Sequence, residues 1–404
     1  MAILQLILMA LVSMLAVRWT YYRVLKIARL KNLVDNPDSR KMQKLPVPVL
    51  GGLAVYFGLI CGMFFYTAIS GIRFGELLPV FFSISVMLFV GMLDDFLGLS
   101  ARSRIIIEIL TILALIYASG LSIDSLQGLW GIHSFSWYIA VPLTILTGVG
   151  LINAYNMVDG VNGLSSGLCI VVSCFFAILF YKYRDYLDCA IAVCFAASLI
   201  PFLIHNVFGE KSRMFIGDGG TMVMGIIICW FVMRILSSRN NWPQRYPSQT
   251  PVSFVALVWA FAAEPVFDTL RVMTGRILRR TSPFKADKTH LHHLFIDLGF
   301  SHIFTSLCIV AINSLVVLAW FIAFKCGLNQ SWQLFVGISA AIIFVWGSYF
   351  FLNYHLKHNT EFVRLIRKNS GKTHLVHTNA WQSFQNFLDK GACDIENENK
   401  EKNE

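Results

Sequence analysis

Eleven apolar segments, each approaching the ~20 residues that a helix needs to cross a bilayer, restrict what this chain can fold into. They run roughly over 2–22, 49–70, 77–93, 105–121, 137–155, 164–181, 187–206, 215–235, 251–270, 303–324 and 332–353. Charge is sparse to match: 14% of residues are Asp, Glu, Lys or Arg, where a soluble domain carries nearer a quarter. The expected fold is all-α, a polytopic membrane protein with about 11 transmembrane helices. Residues 1–355 form its membrane domain. Residues 356–404 read as a polar tail, poorly ordered and dispensable, because acidic and basic residues interleave from Asp394 to Glu404. The first segment lacks a basic n-region and an A-x-A site, so it is expected to stay as a helix rather than leave as a signal peptide.

The net charge of +10 raises the question of nucleic acid, but its distribution points to the lipid bilayer. One set of alternate loops, with the C-terminal tail, holds 25 Lys and Arg; the opposite set holds six. The rich set is expected to be cytoplasmic, which puts the N-terminus outside, the C-terminus inside and no nucleic acid among the partners. Nine Cys stand singly, without a CxxC pair, and read as small core residues rather than a disulfide frame or metal knuckle.

Nearly every polar motif falls on that basic side. The densest is Asn153-Ala-Tyr-Asn156-Met-Val-Asp159-Gly160-Val-Asn162-Gly163, between two apolar runs. Helical spacing puts Asn156, Asp159 and Gly163 on one face. A capped helix end accounts for this stretch alone about as well as a functional site does. Four further clusters join it: Arg40 to Lys44 before Pro46-Val-Pro48, Asp94-Asp95 with Arg102 and Arg104, Phe215-Ile-Gly217-Asp218-Gly-Gly220, and Ser282 to His293 with Asp268 and Arg271 upstream. Adjacent helical residues point about 100° apart, so Asp94 and Asp95 are expected to serve different partners. His290, His292 and His293 lack the Cys or Glu signature of a zinc site. Basic loops alone are compatible with lipid-headgroup anchoring. The combination says more: hard carboxylate oxygens suit Mg²⁺ or Mn²⁺, and nearby Arg, Lys and His suit phosphate. Phosphoryl transfer to a lipid at the membrane surface requires such a pocket.

In this order the motifs resemble the polyprenyl-phosphate N-acetylhexosamine-1-phosphate transferases, from about residue 23 to 302. The matching pieces are Arg40-Lys41…Pro46…Gly51-Gly52, Asp94-Asp95…Leu99-Ser100, Asn153…Asn156…Asp159-Gly160…Gly163-Leu164, Phe215…Gly217-Asp218…Gly220, Asp268 and His290-x-His292-His293. The His-x-His-His-Leu form is similar to the branch that uses UDP-GlcNAc. The resemblance implies UDP-GlcNAc plus undecaprenyl phosphate giving undecaprenyl-diphospho-GlcNAc and UMP, with Mg²⁺, in the bacterial inner membrane, as the first step of an envelope polysaccharide. Carried over by position, Asn156 and Asp218 hold the metal. Asp94 and Asp95 lie at the lipid phosphate, and Asp159 completes the nucleotide site. Lys44, Arg102, Asn153, Asn206, Asp268, Arg276, Arg279 and the three His contact substrate. Gln43, Gly98, Asn162 and Arg280 stand where the family commonly has His, Asp, Asp and Gly. Asn162 cannot act as a base. These departures leave UDP-GalNAc, UDP-QuiNAc and UDP-MurNAc-pentapeptide open as donors. A transporter of lipid-linked anions is the non-enzymatic rival. It needs ionisable residues near the midplane and on both sides, where this chain offers chiefly Glu108, Glu264 and Asp268. The oligomeric state stays open, a homodimer included.

Overall fold

A computed structural model describes residues 2–35, 45–72, 74–240, 242, 251–283, 288–373 and 379–401. The motif Arg40 to Lys44, and with it the expected substrate ligand Lys44, lies outside them. The chain is an all-α bundle: α1 (Ala2–Leu30), α2 (Gly51–Ser70), α3 (Leu78–Leu97), α4 (Ala101–Ser119), α5 (Trp137–Val158), α6 (Leu164–Lys182), α7 (Tyr186–Phe208) and α8 (Gly217–Leu236). There follow α9 (Phe254–Phe261), α10 (Ala263–Leu278), α11 (Leu291–Asp297), α12 (His302–Lys325) and α13 (Gln330–Lys357), which holds a π-helical turn at Ile342–Gly347. Two tail helices, α14 (Glu361–Ser370) and α15 (Asn379–Glu401), come last. The two-residue strands β1 (Val34–Asp35) and β2 (Val47–Pro48) pair antiparallel.

Among the described residues, nine helices are long and apolar enough to cross a membrane. Two of the eleven expected segments fall outside that set, for different reasons. Segment 105–121 lies in α4, whose first two turns carry Arg102, Arg104 and Glu108. Segment 251–270 is broken into α9 and α10. Pro265 has no N–H to give the Phe261 carbonyl, one turn back. Asn313 of α12 supplies the missing bond, its Nδ2 donating to Phe261 O at 3.2 Å while its Oδ1 accepts from Glu264 N at 2.9 Å. A side chain from a neighbouring helix thus satisfies backbone that lipid cannot.

Helix α8 is the axis of the bundle, with 94% of its apolar window buried. Hydrophobic contact adds little between helices already in lipid, so close packing depends on small residues. A Cβ on Gly91 of α3 would stand 2.3 Å from the Gly219 backbone nitrogen, and one on Gly52 of α2 would stand 2.5 Å from Gly220. Two glycine-to-glycine crossings therefore seat the N-terminus of α8 between α2 and α3. Backbone bonds extend the contact: Gly51 N and Gly52 N donate to Phe215 O and Ile216 O, and Phe215 N donates to Pro48 O. The Arg234 charge within α8 is neutralised at the opposite end by Asp185, at 2.6 Å, and Asp188.

Helix α15 carries an apolar stripe that docks it: Leu388, Ala392 and Ile395 are buried, and Trp381 and Phe384 pack edge-on against Phe208. Mixed charge along a sequence does not prevent order when i, i+4 apolar positions find a surface.

The α3–α8 crossing makes a test. Gly91→Ala puts a methyl group into backbone and should destabilise by about 1–3 kcal/mol. Gly150→Ala in α5 meets nothing within 4 Å and should be neutral. Thermal unfolding of the detergent-solubilised protein followed by size exclusion checks both; equal stability of the two variants would show that the crossing tolerates separation.

Candidate active site

The start of α8 organises the polar residues. Ile216 offers no side-chain cap, so the first amides of α8 need a partner from elsewhere. Asp95, near the end of α3, provides it: both carboxylate oxygens accept from Asp218 N, at 3.0 and 3.2 Å. Gly217 makes that approach, at φ +73°, where a Cβ would lie 2.6 Å from Asp95 Oδ2. Asp218 itself sits in the first turn, where a negative charge is favoured. Its Oδ1 accepts from Asn156 Nδ2 at 2.8 Å, and the same amide donates to Thr221 Oγ1 at 2.9 Å. Turning that carboxamide over would present Oδ1 instead.

Helix α5 ends at Val158, so the helical face expected to join Asn156, Asp159 and Gly163 is interrupted. Asp159 is the C-cap, and Gly163, at φ +80°, precedes α6. Asn156 and Asp159 nevertheless reach the same cavity. Burial pushes the Asp159 carboxyl up to about 6, against the Ser165 hydroxyl, which donates to it at 2.6 Å; the Asp218 charge pushes it further up. Asn206 ties two loops together, accepting from Gly163 N at 2.7 Å and donating to Met214 O at 2.9 Å.

A cavity of about 980 Å³ opens here, lined by Asp95, Asn156, Asp159, Asn206, Asp218 and His293. Two groups that sequence reasoning missed, Arg213 and His302, line it as well. Arg213 had counted only as one loop charge among many. His302 is the first residue of α12, and its Nδ1 accepts from Asn162 N at 3.3 Å.

Other candidates lie off the cavity wall. Asp94 turns away from Asp95 to Arg104 Nη1, at 3.0 Å, and to Leu99 N, at 2.8 Å. Asn153 belongs to the same buried relay, accepting from Arg104 at 3.1 Å and donating to Glu108 at 2.7 Å. Arg102 is exposed on the first turn of α4. Asp268 holds Arg271, at 2.6 Å, and His290 Nδ1, at 2.8 Å, and also accepts from Leu291 N. Arg271 lies 3.4 Å from the centre of the Tyr349 ring. This network anchors α11, which begins at Leu291. Gly160 lets the buried His292 ring rest against backbone, since a Cβ there would be 2.3 Å from Nε2. Burial, with His293 and His290 beside it, holds His292 well below the usual imidazole value, which keeps it neutral. Arg276 is fully buried and donates to Pro283 O at 2.6 Å; Arg279 is exposed and donates to Gly275 O at 3.0 Å.

The comparisons agree with the family resemblance. Residues 77–236, from the end of the short turn before α3 through α8, match glycosyl transferase family 4. A probable undecaprenyl-phosphate N-acetylglucosaminyl 1-phosphate transferase of Bacillus subtilis (strain 168) is 30% identical over 305 residues, covering 75% of this chain and 80% of its own. The undecaprenyl-phosphate alpha-N-acetylglucosaminyl 1-phosphate transferase of Yersinia pestis is 30% identical over 287 residues, with 68% and 73% covered. Its namesake in Escherichia coli (strain K12) is 28% identical over 298 residues, with 68% and 72% covered. With Asp95, Asp159 and Asp218 gathered at one end of a membrane-spanning bundle, the chain belongs to the polyprenyl-phosphate N-acetylhexosamine-1-phosphate transferases of glycosyl transferase family 4: it is a membrane-embedded sugar-1-phosphate transferase.

Proposed function

We propose that the protein transfers GlcNAc-1-phosphate from UDP-GlcNAc to undecaprenyl phosphate, releasing UMP, on the cytoplasmic side of the bacterial inner membrane. This would begin the assembly of an envelope polysaccharide. The observation that carries the reading is the convergence of Asp95, Asn156, Asp159 and Asp218 on one cavity. The names of the relatives in Bacillus subtilis and Yersinia pestis support the N-acetylglucosaminyl 1-phosphate group and the lipid, and the motif resemblance supports UDP as its carrier.

In the reaction an oxygen of the lipid phosphate attacks the sugar-bearing phosphorus of the nucleotide, and the bond to UMP breaks. A lipid phosphate is already largely anionic near neutral pH, so little is asked of a general base. Positioning and charge neutralisation carry most of the catalysis. Among the described residues no three His, Cys, Asp or Glu side chains gather to hold a metal. Mg²⁺ does not need such a cluster, since it keeps waters and binds through one or two carboxylates plus substrate phosphates. Asp218, with the Asn156 carboxamide beside it, is the donor set of the right chemistry. When bound there, Mg²⁺ would offset the negative charge that accumulates on the diphosphate. Asp95 spends its oxygens on the Asp218 amide and keeps that first turn in register. Asp159 adds a second negative charge facing the same space.

Incubation with undecaprenyl phosphate and a panel of UDP-sugars should release UMP, fastest with UDP-GlcNAc. EDTA should stop it and added Mg²⁺ restore it. Release that does not depend on the lipid phosphate would refute the assignment. Asp218→Asn should lower turnover by about 10²-fold or more while the variant still elutes as a folded protein, since a charge aimed at the reacting phosphates is removed. Near-normal turnover would take Asp218 out of the metal site.

The pH profile bears on Asp159. Its carboxyl, raised to about 6, loses charge as pH falls below that value, so the rate should decline there. Asp159→Asn has nothing to titrate at that position, and its slower rate should stay flat through the same range. A decline that survives in this variant belongs to the lipid phosphate instead.

A further inference from the structure

The loop between α7 and α8 is held by a residue far along the chain. The backbone N–H groups of Glu210, Lys211 and Ser212 and the Ser212 hydroxyl all donate to the carboxylate of Asp389, on α15, the shortest bonds being 2.7 and 2.8 Å. Successive amides converging on one anion form a nest. Those bonds outweigh burial and hold the Asp389 carboxyl below the usual carboxylate range, so it stays charged. From the other side Tyr21 donates to Ser212 O at 2.8 Å, and His205 Nδ1 lies 3.1 Å from the Ser212 hydroxyl. Arg29 bridges the two parts, donating to Ala392 O and Lys211 O, and the Tyr22 hydroxyl donates to Leu388 O at 2.5 Å. On the far side of Arg213, Asn206 fixes Met214 O.

Arg213 is thus the one residue between two pinned neighbours, and its side chain lines the cavity with Asn156, Asp159 and Asp218. Its Nε is enclosed and has no hydrogen-bond partner among the described residues. A guanidinium fork matches phosphate, and an enclosed N–H without an acceptor is costly to leave unmade. Asp389 and Glu210 temper its charge from nearby, but the Asp389 oxygens are engaged by the loop amides.

We propose that Arg213 binds a phosphate oxygen of a substrate in this cavity, and that Asp389, acting through the 210–212 amides, is the positioning residue that aims it. The phosphate belongs either to the nucleotide-sugar diphosphate or to the lipid. The proposal rests on the transferase reading above.

Steady-state kinetics in detergent micelles, with UDP-GlcNAc and undecaprenyl phosphate varied in turn, separate the sources. Arg213→Ala should raise KM for one of them by about 10–100-fold, the loss expected for a charge-assisted bond. A rise for UDP-GlcNAc assigns the contact to the diphosphate, and a rise for undecaprenyl phosphate assigns it to the lipid. Arg213→Lys, which keeps the charge but not the fork, should raise the same KM less. Asp389→Asn should raise that KM too, and should add nothing further in the Arg213→Ala background. Unchanged KM for both substrates in Arg213→Ala overturns the binding role; full additivity in the double variant overturns the positioning role. If Arg213→Ala does not elute as a folded protein, Arg213→Lys with and without Asp389→Asn carries the same comparison. A second readout keeps the transferase reading separate: inorganic pyrophosphate with Mg²⁺ should raise the melting temperature of the wild type more than that of Arg213→Lys. Should the wild type release no UMP with any donor, the transferase reading fails, and an equal shift in both proteins would overturn the Arg213 assignment as well.

Discussion

Everything at the site depends on how closely α3 and α2 approach the first turn of α8. Between helices in lipid, dispersion and backbone contact must supply what the hydrophobic effect supplies in water. Gly91 against Gly219 and Gly52 against Gly220 provide that contact with no side chain in the way. Once the backbones touch, Asp95 is within reach of the Asp218 amide, and the helix start, the acid and the cap become one unit. Larger residues at these crossings would move the acids apart by more than a hydrogen bond can follow.

Gathering carboxylates in a poorly solvated place is unfavourable unless each has its own partner. Here the partners differ in kind. Asp94 has a guanidinium, Asp95 a backbone amide, Asp159 a hydroxyl and Asp218 a carboxamide. Only Asp94 is neutralised outright by a cation. The other three have no cation beside them and line the cavity, where a bound cation and the phosphates that travel with it would supply the missing countercharge. Asp268 and His290 form a separate network that seats α11 beneath Gly160.

The sequence made much of this legible, because hydrophobic length and polar order along the chain are local properties. Nine of the spans and the divergence of Asp94 from Asp95 follow from spacing and residue type, whereas setting Asn156 beside Asp218 took the family resemblance. What was hidden depends on distant partners. Residues 251–270 form one apolar run, and nothing local shows that Pro265 can break it because Asn313, 49 positions after Glu264, satisfies the freed backbone. Arg213 looks like any loop cation until its neighbours are known. The helical face drawn through Asn156, Asp159 and Gly163 is broken because α5 ends at Val158, with Asp159 as its cap, and Gly163 starts α6. The docking of α15 was hidden too, because the apolar positions at 388, 392 and 395 mean little until their partner surface is known.

The bond from Ser212 to Asp389 spans 177 positions. Closing so long a loop costs chain entropy that grows only slowly with length, but it cannot be closed before the far end exists. During synthesis the membrane helices therefore enter the bilayer well before α15 leaves the ribosome. A nascent chain that stops short of residue 389 would be inserted and packed around α8, yet its α7–α8 loop would lack its anchor. In this protein a stretch translated later finishes a loop laid down 177 positions before it.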